Sequence, residues 1–201
     1  MSVRIWRLRP LIFLPAKSGI LPEVYLVRHG KTAWSLSGQA TGRADIPLTK
    51  RGEQDAQELG KLLQSLSFVE VLTSPLQRAR RTAVLAGFDD CAQPDPDLME
   101  WEYGAYEGRR TAENQAGRPG WRLFEGGCPD GEALQAGSVR AERVIDRIRA
   151  LGGNVLVFAH RDILRVLAAR WLGPSAADAR YLYLTTASFS IIGYHHEPRP
   201  G

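Results

Sequence analysis

Two of the four histidines in this 201-residue chain stand directly after short apolar runs. Val24-Tyr25-Leu26-Val27 leads into Arg28-His29-Gly30, and Val155-Leu156-Val157-Phe158-Ala159 leads into His160-Arg161. A neutral imidazole is a nucleophile near pH 7 and can take a phosphoryl group by in-line displacement. Arg28, and Arg78 shortly after Ser74-Pro75, would add fixed positive charge, and a guanidinium matches phosphate or carboxylate with paired donors. The arginines and the second histidine would neutralise the equatorial oxygens, so that displacement requires no metal. It does require a proton donor for the leaving alkoxide. Glu100, Glu102 and Glu107 cluster in an irregular middle region and are the candidates. Taken singly, each group has an ordinary explanation as a structural histidine, a solvated arginine or a surface carboxylate. Their occurrence together, in this order, points to chemistry.

Bringing these groups to one place requires a sheet. The apolar runs 24–27 and 155–159 read as buried strands, and Val69 to Thr73 as a third that ends at Ser74-Pro75. Ligands bind at the carboxyl ends of strands in open α/β sheets, which is where Arg28, His29 and His160 fall. Pro75 suits the first turn of a helix over 76–86, with Arg78 near its start. Thr49 reads as the N-cap of a helix over 50–65, carrying Leu59, Leu62, Leu63 and Leu66 at helical spacing. Further helices are expected over 132–150, stopped by Gly152-Gly153, and over 163–171, stopped by Gly173-Pro174. The helices after residues 75 and 160 would aim partial positive charge and free amides at the same anion. Residues 181–184 and 189–194 read as final strands. Residues 31–47 form a polar loop, and 91–130, rich in proline and glycine, an insertion covering a cleft. Strands alternating with helices predict an α/β fold, a three-layer α/β/α sandwich with a mostly parallel central sheet.

Length and composition suit one domain over residues 21–201, with residues 1–20 a flexible N-terminal extension. The formal charge is +4. The arginines are scattered rather than grouped in a stripe, so neither nucleic acid nor membrane is an expected partner. The apolar patch 11–14, bracketed by Pro10 and Pro15, is too short for a signal-peptide core, and no run approaches a membrane span. Cys91 and Cys128 are far apart and in no metal-ligand spacing, which fits a reducing cytoplasm.

The ordered blocks Leu26-Val27-Arg28-His29-Gly30-Lys31-Thr32, Thr41-Gly42-Arg43-Ala44-Asp45-Ile46-Pro47-Leu48-Thr49, Thr73-Ser74-Pro75-Leu76-Gln77-Arg78-Ala79, Leu98-Met99-Glu100-Trp101-Glu102-Tyr103-Gly104 and Val157-Phe158-Ala159-His160 resemble the histidine phosphatase superfamily, which includes phosphoglycerate mutases and many phosphomonoesterases. The resemblance covers about residues 23–194 and implies a phosphoglycerate mutase-like fold. It implies that His29 is the phosphorylated nucleophile and Glu100, four residues before Gly104, the proton donor. Arg28, Arg78 and His160 would form the phosphate pocket, with Ser35, Thr41, Gly42 and Tyr103 contacting substrate. It implies a small phosphorylated substrate, inorganic phosphate as product, and neither metal nor cofactor; a homodimer is left open. Relatives usually carry glycine where this chain has Arg161. That arginine either narrows the pocket and adds an anion contact, or is tied back by Asp162, which could cap the next helix. The interval 101–159 is too short for the lid of a true mutase, which favours hydrolysis. The run Trp34–Gly42 is similar to that of sedoheptulose-bisphosphatase-like members, which suggests a sugar phosphate. Mutase activity, or phosphate binding without catalysis, are the alternatives.

Overall fold

The computed structural model describes residues 23–173 and 175–193. The expected extension, residues 1–20, lies outside them, as does Tyr194 at the end of the expected last strand. The strands are β1 (Val24–Arg28), β2 (Glu70–Thr73), β3 (Ala92–Pro94), β4 (Val155–Ala159) and β5 (Phe189–Ile192), in the spatial order β3-β2-β4-β1-β5. All neighbours are parallel except β1 with β5, which is antiparallel.

Alternation along the central strands sends side chains into two separate cores, as both faces of a parallel sheet require. Val24, Leu26, Val155 and Val157 face one way, packed with Ile145 and Ile148 of α6 (Leu134–Leu151) and Ile163 and Leu167 of α7 (Arg161–Trp171). Tyr25, Val27, Leu156 and Phe158 face the other way, against Leu59 and Leu63 of α2 (Lys50–Leu63) and Ala83 of α3 (Gln77–Leu85). The result is the three-layer α/β/α sandwich with a mostly parallel sheet. Thr49 caps α2 through a 3.0 Å bond from the Gly52 amide, and Gly152 ends α6 in the left-handed conformation at φ 63°.

Four segments depart from the sequence expectation. Residues 92–94, expected to belong to the irregular insertion, form the edge strand β3, paired in parallel with β2. The polar loop after β1 contains a short helix, α1 (Ala33–Ser37), whose N-cap Thr32 exchanges bonds with Ser35. Residues 181–184 are not a strand: Ala176–Tyr181 is a 3-10 turn, and Tyr181 and Tyr183 are exposed, so nothing there offers a sheet edge to pair with. α7 starts two residues earlier than its periodicity indicates, at Arg161.

The middle region is organised by aromatics rather than by periodic elements. After β3 it carries α4 (Thr111–Gly117) and α5 (Leu123–Gly126). Trp101 meets Phe124 edge-on at 5.7 Å, and Tyr106 meets Trp121 at 5.2 Å. Trp101 is fixed from the far side by Gly137 of α6, where a Cβ would come within 2.3 Å of its ring. Helix propensity alone predicts that Gly137→Ala stabilises the protein by about 1 kcal/mol. Overpacking at Trp101 costs about 1–3 kcal/mol, so we expect a net loss, read as a lower urea midpoint together with lower activity, since Trp101 adjoins Glu100. A midpoint at or above wild type would show that Trp101 has room to move.

Candidate active site

The two histidines meet because the strands that carry them are adjacent. Arg28 is paired with Ala159 across β1 and β4, and the His29 amide donates to the Ala159 carbonyl at 3.0 Å. His29 and His160 thus leave the sheet side by side, with ring centroids 5.2 Å apart and planes tilted by 56°. His29 Nδ1 lies 2.7 Å from the Gly30 carbonyl. A carbonyl only accepts, so Nδ1 carries the proton, and Nε2 keeps its lone pair at the wall of a cavity of about 340 Å³. Burial, with Arg78 and Arg28 nearby, holds the ring well below the usual 6.5 and therefore neutral.

His160 and Arg78 lie behind that wall, both fully buried. Arg78 Nε donates to His160 Nδ1 at 3.0 Å, so the His160 proton sits on Nε2, which donates to Ser74 Oγ at 2.7 Å. Burial and Arg78 keep this ring neutral as well. The remaining Arg78 bonds run to the carbonyls of Thr41, Gly42 and Ala44. Glu107 takes the opposite side of the same loop, accepting from the Gly42 and Ala44 amides at 2.8 and 3.2 Å. Arg28 lines the cavity; its Nη1 donates to the Leu184 carbonyl, while its Nε is buried without a partner among the described residues. An anion in the cavity would satisfy such a donor.

Glu100 is buried at the cavity wall, whereas Glu102 is exposed and away from it. The Glu100 carboxylate sits on the N-terminus of α7. Its Oε1 accepts from Ile163 N at 3.0 Å and from Trp101 N at 2.9 Å, and its Oε2 accepts from Asp162 N at 3.1 Å. Glu100, not Asp162, therefore caps α7, which explains why that helix begins at Arg161 with no local side-chain cap. Burial and the Asp162 charge raise its pKa above 4.5 against these amides. The turn that leads into Glu100 is held by Arg140, which donates to the Asp97 and Met99 carbonyls at 2.6 and 2.8 Å and pairs with Glu132 through both oxygens.

Arg161 also lines the cavity, and Asp162 does tie it back. Asp162 has no exposed surface and is shared among Arg161 (3.1 Å), Arg165 (2.9 Å) and the Tyr103 hydroxyl. Burial opposes its ionisation, yet Arg161 and Arg165 outweigh burial and hold it at about 2. Ser35, Thr41 and Tyr103 line the cavity, Ser35 while bonded to Thr32. Gly42 does not line it; it packs under Tyr103 and Trp101. The roles of Glu107 and Arg140 were not read from the sequence, and neither were the cavity residues Gln39, Asn114 and Trp121. All of these act across long separations with no local motif, and only the T-x-x-S cap of α1 had a local signal to give.

A parallel sheet with a neutral histidine, buried guanidiniums and a buried carboxyl group at its carboxyl edge suits phosphoryl transfer. A model of the histidine phosphatase superfamily (branch 1) matches residues 24–199, and the chain belongs to that superfamily as a histidine-type phosphatase. It is 34% identical over 181 residues to an acid phosphatase of Mycobacterium tuberculosis, covering 88% of this chain and 89% of that protein. It is 37% identical over 187 residues to the sedoheptulose 1,7-bisphosphatase of Saccharomyces cerevisiae, covering 77% and 69%. The solved structure of an open reading frame product from Mycobacterium tuberculosis superposes with a TM-score of 0.83 at 33% identity, covering 87% of this chain and 92% of that one.

Asp162 offers a test of the electrostatics. Asp162→Asn leaves Arg161 and Arg165 without their shared carboxylate and should cost about 3 kcal/mol at pH 7. Because the native carboxyl sits below its usual 3.8, its contribution is complete above that value and is lost as pH falls through about 2. Urea unfolding of wild type and variant should therefore converge between pH 4 and pH 2. A gap that persists unchanged at pH 2 would mean that the charge is not the cause.

Proposed function

We propose that this protein is a phosphomonoesterase acting on a small phosphorylated metabolite, in particular a sugar phosphate, through a phosphohistidine on His29. Nε2 of His29 attacks phosphorus, forming the N–P bond as the P–O ester bond breaks. Glu100 gives its proton to the departing alkoxide through Oε2, the oxygen with fewer amide partners. Water then attacks the phosphorus, the Glu100 carboxylate takes the water proton, and inorganic phosphate leaves as neutral His29 is restored. Arg28 binds the phosphoryl oxygens directly. Arg78 and His160 supply charge and position from behind the wall, and Ser35, Thr41 and Tyr103 shape the cavity for the alcohol. The charge is met by guanidiniums, so no metal or cofactor takes part.

One observation carries this reading: an unprotonated His29 Nε2 at a cavity wall that also presents Arg28 and a buried carboxyl group. The names of two relatives, an acid phosphatase and a sugar bisphosphatase, favour hydrolysis, and the second favours a sugar ester. A mutase would use the same residues and return the phosphoryl group to an organic acceptor. Here the cavity opens to solvent at exposed Arg122 and Glu125, which leaves water free to reach a phosphohistidine.

His29→Ala should abolish turnover of p-nitrophenyl phosphate and the acid-labile label left by a radioactive phosphoryl donor, and a chelator should leave the wild-type rate unchanged. Turnover in His29→Ala, or its loss on chelation, would refute the mechanism. The pH profile tests the two protonation states. The attacking imidazole must be neutral and is held below 6.5; the acid must be protonated and is held above 4.5. For an alkyl phosphate, kcat/KM should fall on the acid side only below pH 6.5 and on the alkaline side with Glu100. Glu100→Gln should remove the alkaline limb and slow alkyl esters about 10²–10⁴-fold, with a smaller effect on p-nitrophenyl phosphate. An unchanged alkaline limb in Glu100→Gln would assign the acid to another group.

A further inference from the structure

Arg161 is the first residue of α7 and follows His160 directly, yet neither the fold nor the proposed chemistry requires a cation there. Its Nε and Nη2 are engaged by Asp162 and the Tyr103 hydroxyl, while Nη1 donates to no group among the described residues. The guanidinium is thus held in one orientation by a carboxylate with no exposed surface, and it keeps a pair of N–H donors at the cavity wall. Preorganisation of this kind lowers the cost of ordering a long side chain when an anion binds. Asp162 does not cancel the charge, because it is shared with Arg165, so the three groups together remain cationic. Over the whole wall, five arginines face three carboxylates, and one of those carboxylates, Glu100, is protonated when it acts as the acid. A phosphomonoester dianion leaves part of that positive charge unanswered.

The position of Arg161 indicates which part of a substrate would answer it. Glu100 receives the Asp162 amide and so marks the side on which the alcohol departs; Arg161 stands on the same helix terminus. Arg28 and Arg161 line the same cavity, and the Arg28 cation is disfavoured first by burial and then by the Arg161 charge, both of which an anion bound there would offset. We propose that Arg161 selects substrates whose alcohol portion carries a second anionic group, a carboxylate or a second phosphate. This rests on the phosphomonoesterase reading above and goes further by defining the substrate class.

The test compares matched probes that differ in that one group: 3-phosphoglycerate against glycerol 3-phosphate, and fructose 1,6-bisphosphate against fructose 6-phosphate. The readout is the ratio of kcat/KM within each pair, which a general loss of folding or activity does not change. Wild type should favour the doubly anionic member of at least one pair by about tenfold, the worth of one charged hydrogen-bonded contact. The pair that shows it tells carboxylate from phosphate. Arg161→Ala should bring the ratio near unity, and Arg161→Lys should retain part of it. Calorimetric titration of the same pairs into His29→Ala protein, with and without Arg161→Ala, reads the preference where no turnover intervenes. A wild-type ratio near unity on both pairs, or a preference that survives in Arg161→Ala, would overturn the proposal. Failure of wild type to release phosphate from p-nitrophenyl phosphate would instead remove the phosphatase reading and leave the binding preference to be judged by calorimetry.

Discussion

Parallel pairing of β1 with β4 sets Arg28 opposite Ala159, so the residue after each, a histidine, leaves the sheet at the same level and on the same edge. The pairing is fixed by more than the backbone ladder. Both faces of these strands are buried, and the larger side chains, Tyr25, Leu156 and Phe158, face α2 and α3, while Val24, Leu26, Val155 and Val157 face α6 and α7. A slip of one residue would exchange the two sets, forcing Phe158 into the space of a valine and leaving a void where it had been. The spacing of the two rings is therefore a consequence of how two hydrophobic cores are filled.

Around that pair, the buried cations serve as framework as well as field. Arg78 would be costly in a dry interior without full hydrogen bonding. It finds that bonding in His160 and in three carbonyls of the loop at 41–44, whose amides Glu107 holds from the other side. The loop is thereby pinned on both faces, and the cavity keeps its shape where Thr41 lines it. The segment before Glu100 is treated in the same way by Arg140 and Glu132. Charged groups, rather than regular secondary structure, fix the parts of the site that do not sit on strand ends.

This division explains what the sequence could reveal. The strand ends were legible because an apolar run that stops abruptly at Arg-His or His-Arg is a local signal. The helices α2, α3 and α6 were legible from spacing, and α2 and α6 also from the residues that start or stop them, Thr49 and Gly152; Pro75 lies ahead of the first turn of α3, which begins at Gln77 after its N-cap Leu76. The short α1 carries too few residues for periodicity, and only its Thr32–Ser35 cap betrays it. Residues 181–184 have strand-like composition but no partner, and pairing is a tertiary fact. The start of α7 was misplaced because its cap, Glu100, comes from far back in the chain. Choosing Glu100 over Glu102 required the family resemblance, since burial alone separates them and a sequence does not display burial in an irregular segment.

Burial also accounts for the chemistry without a special device for each group. Removing a titratable side chain from water penalises whichever form is charged, so it lowers the pKa of an imidazole and raises that of a carboxylic acid. His29 and Glu100 are both buried beside one cavity, and each is pushed toward its neutral form. Those neutral forms are the ones the proposed mechanism asks of its nucleophile and its proton donor. The fixed charges then refine the effect in opposite senses: Arg28 and Arg78 discourage a second positive charge on His29, and ionised Asp162 discourages a second negative charge next to Glu100. Asp162 can play that part only because Arg161 and Arg165 keep it ionised where burial alone would not. The ion cluster at the start of α7 thus links the Glu100 carboxyl group to the Arg161 guanidinium at the cavity wall, and a change in one carries electrostatic consequences for the other.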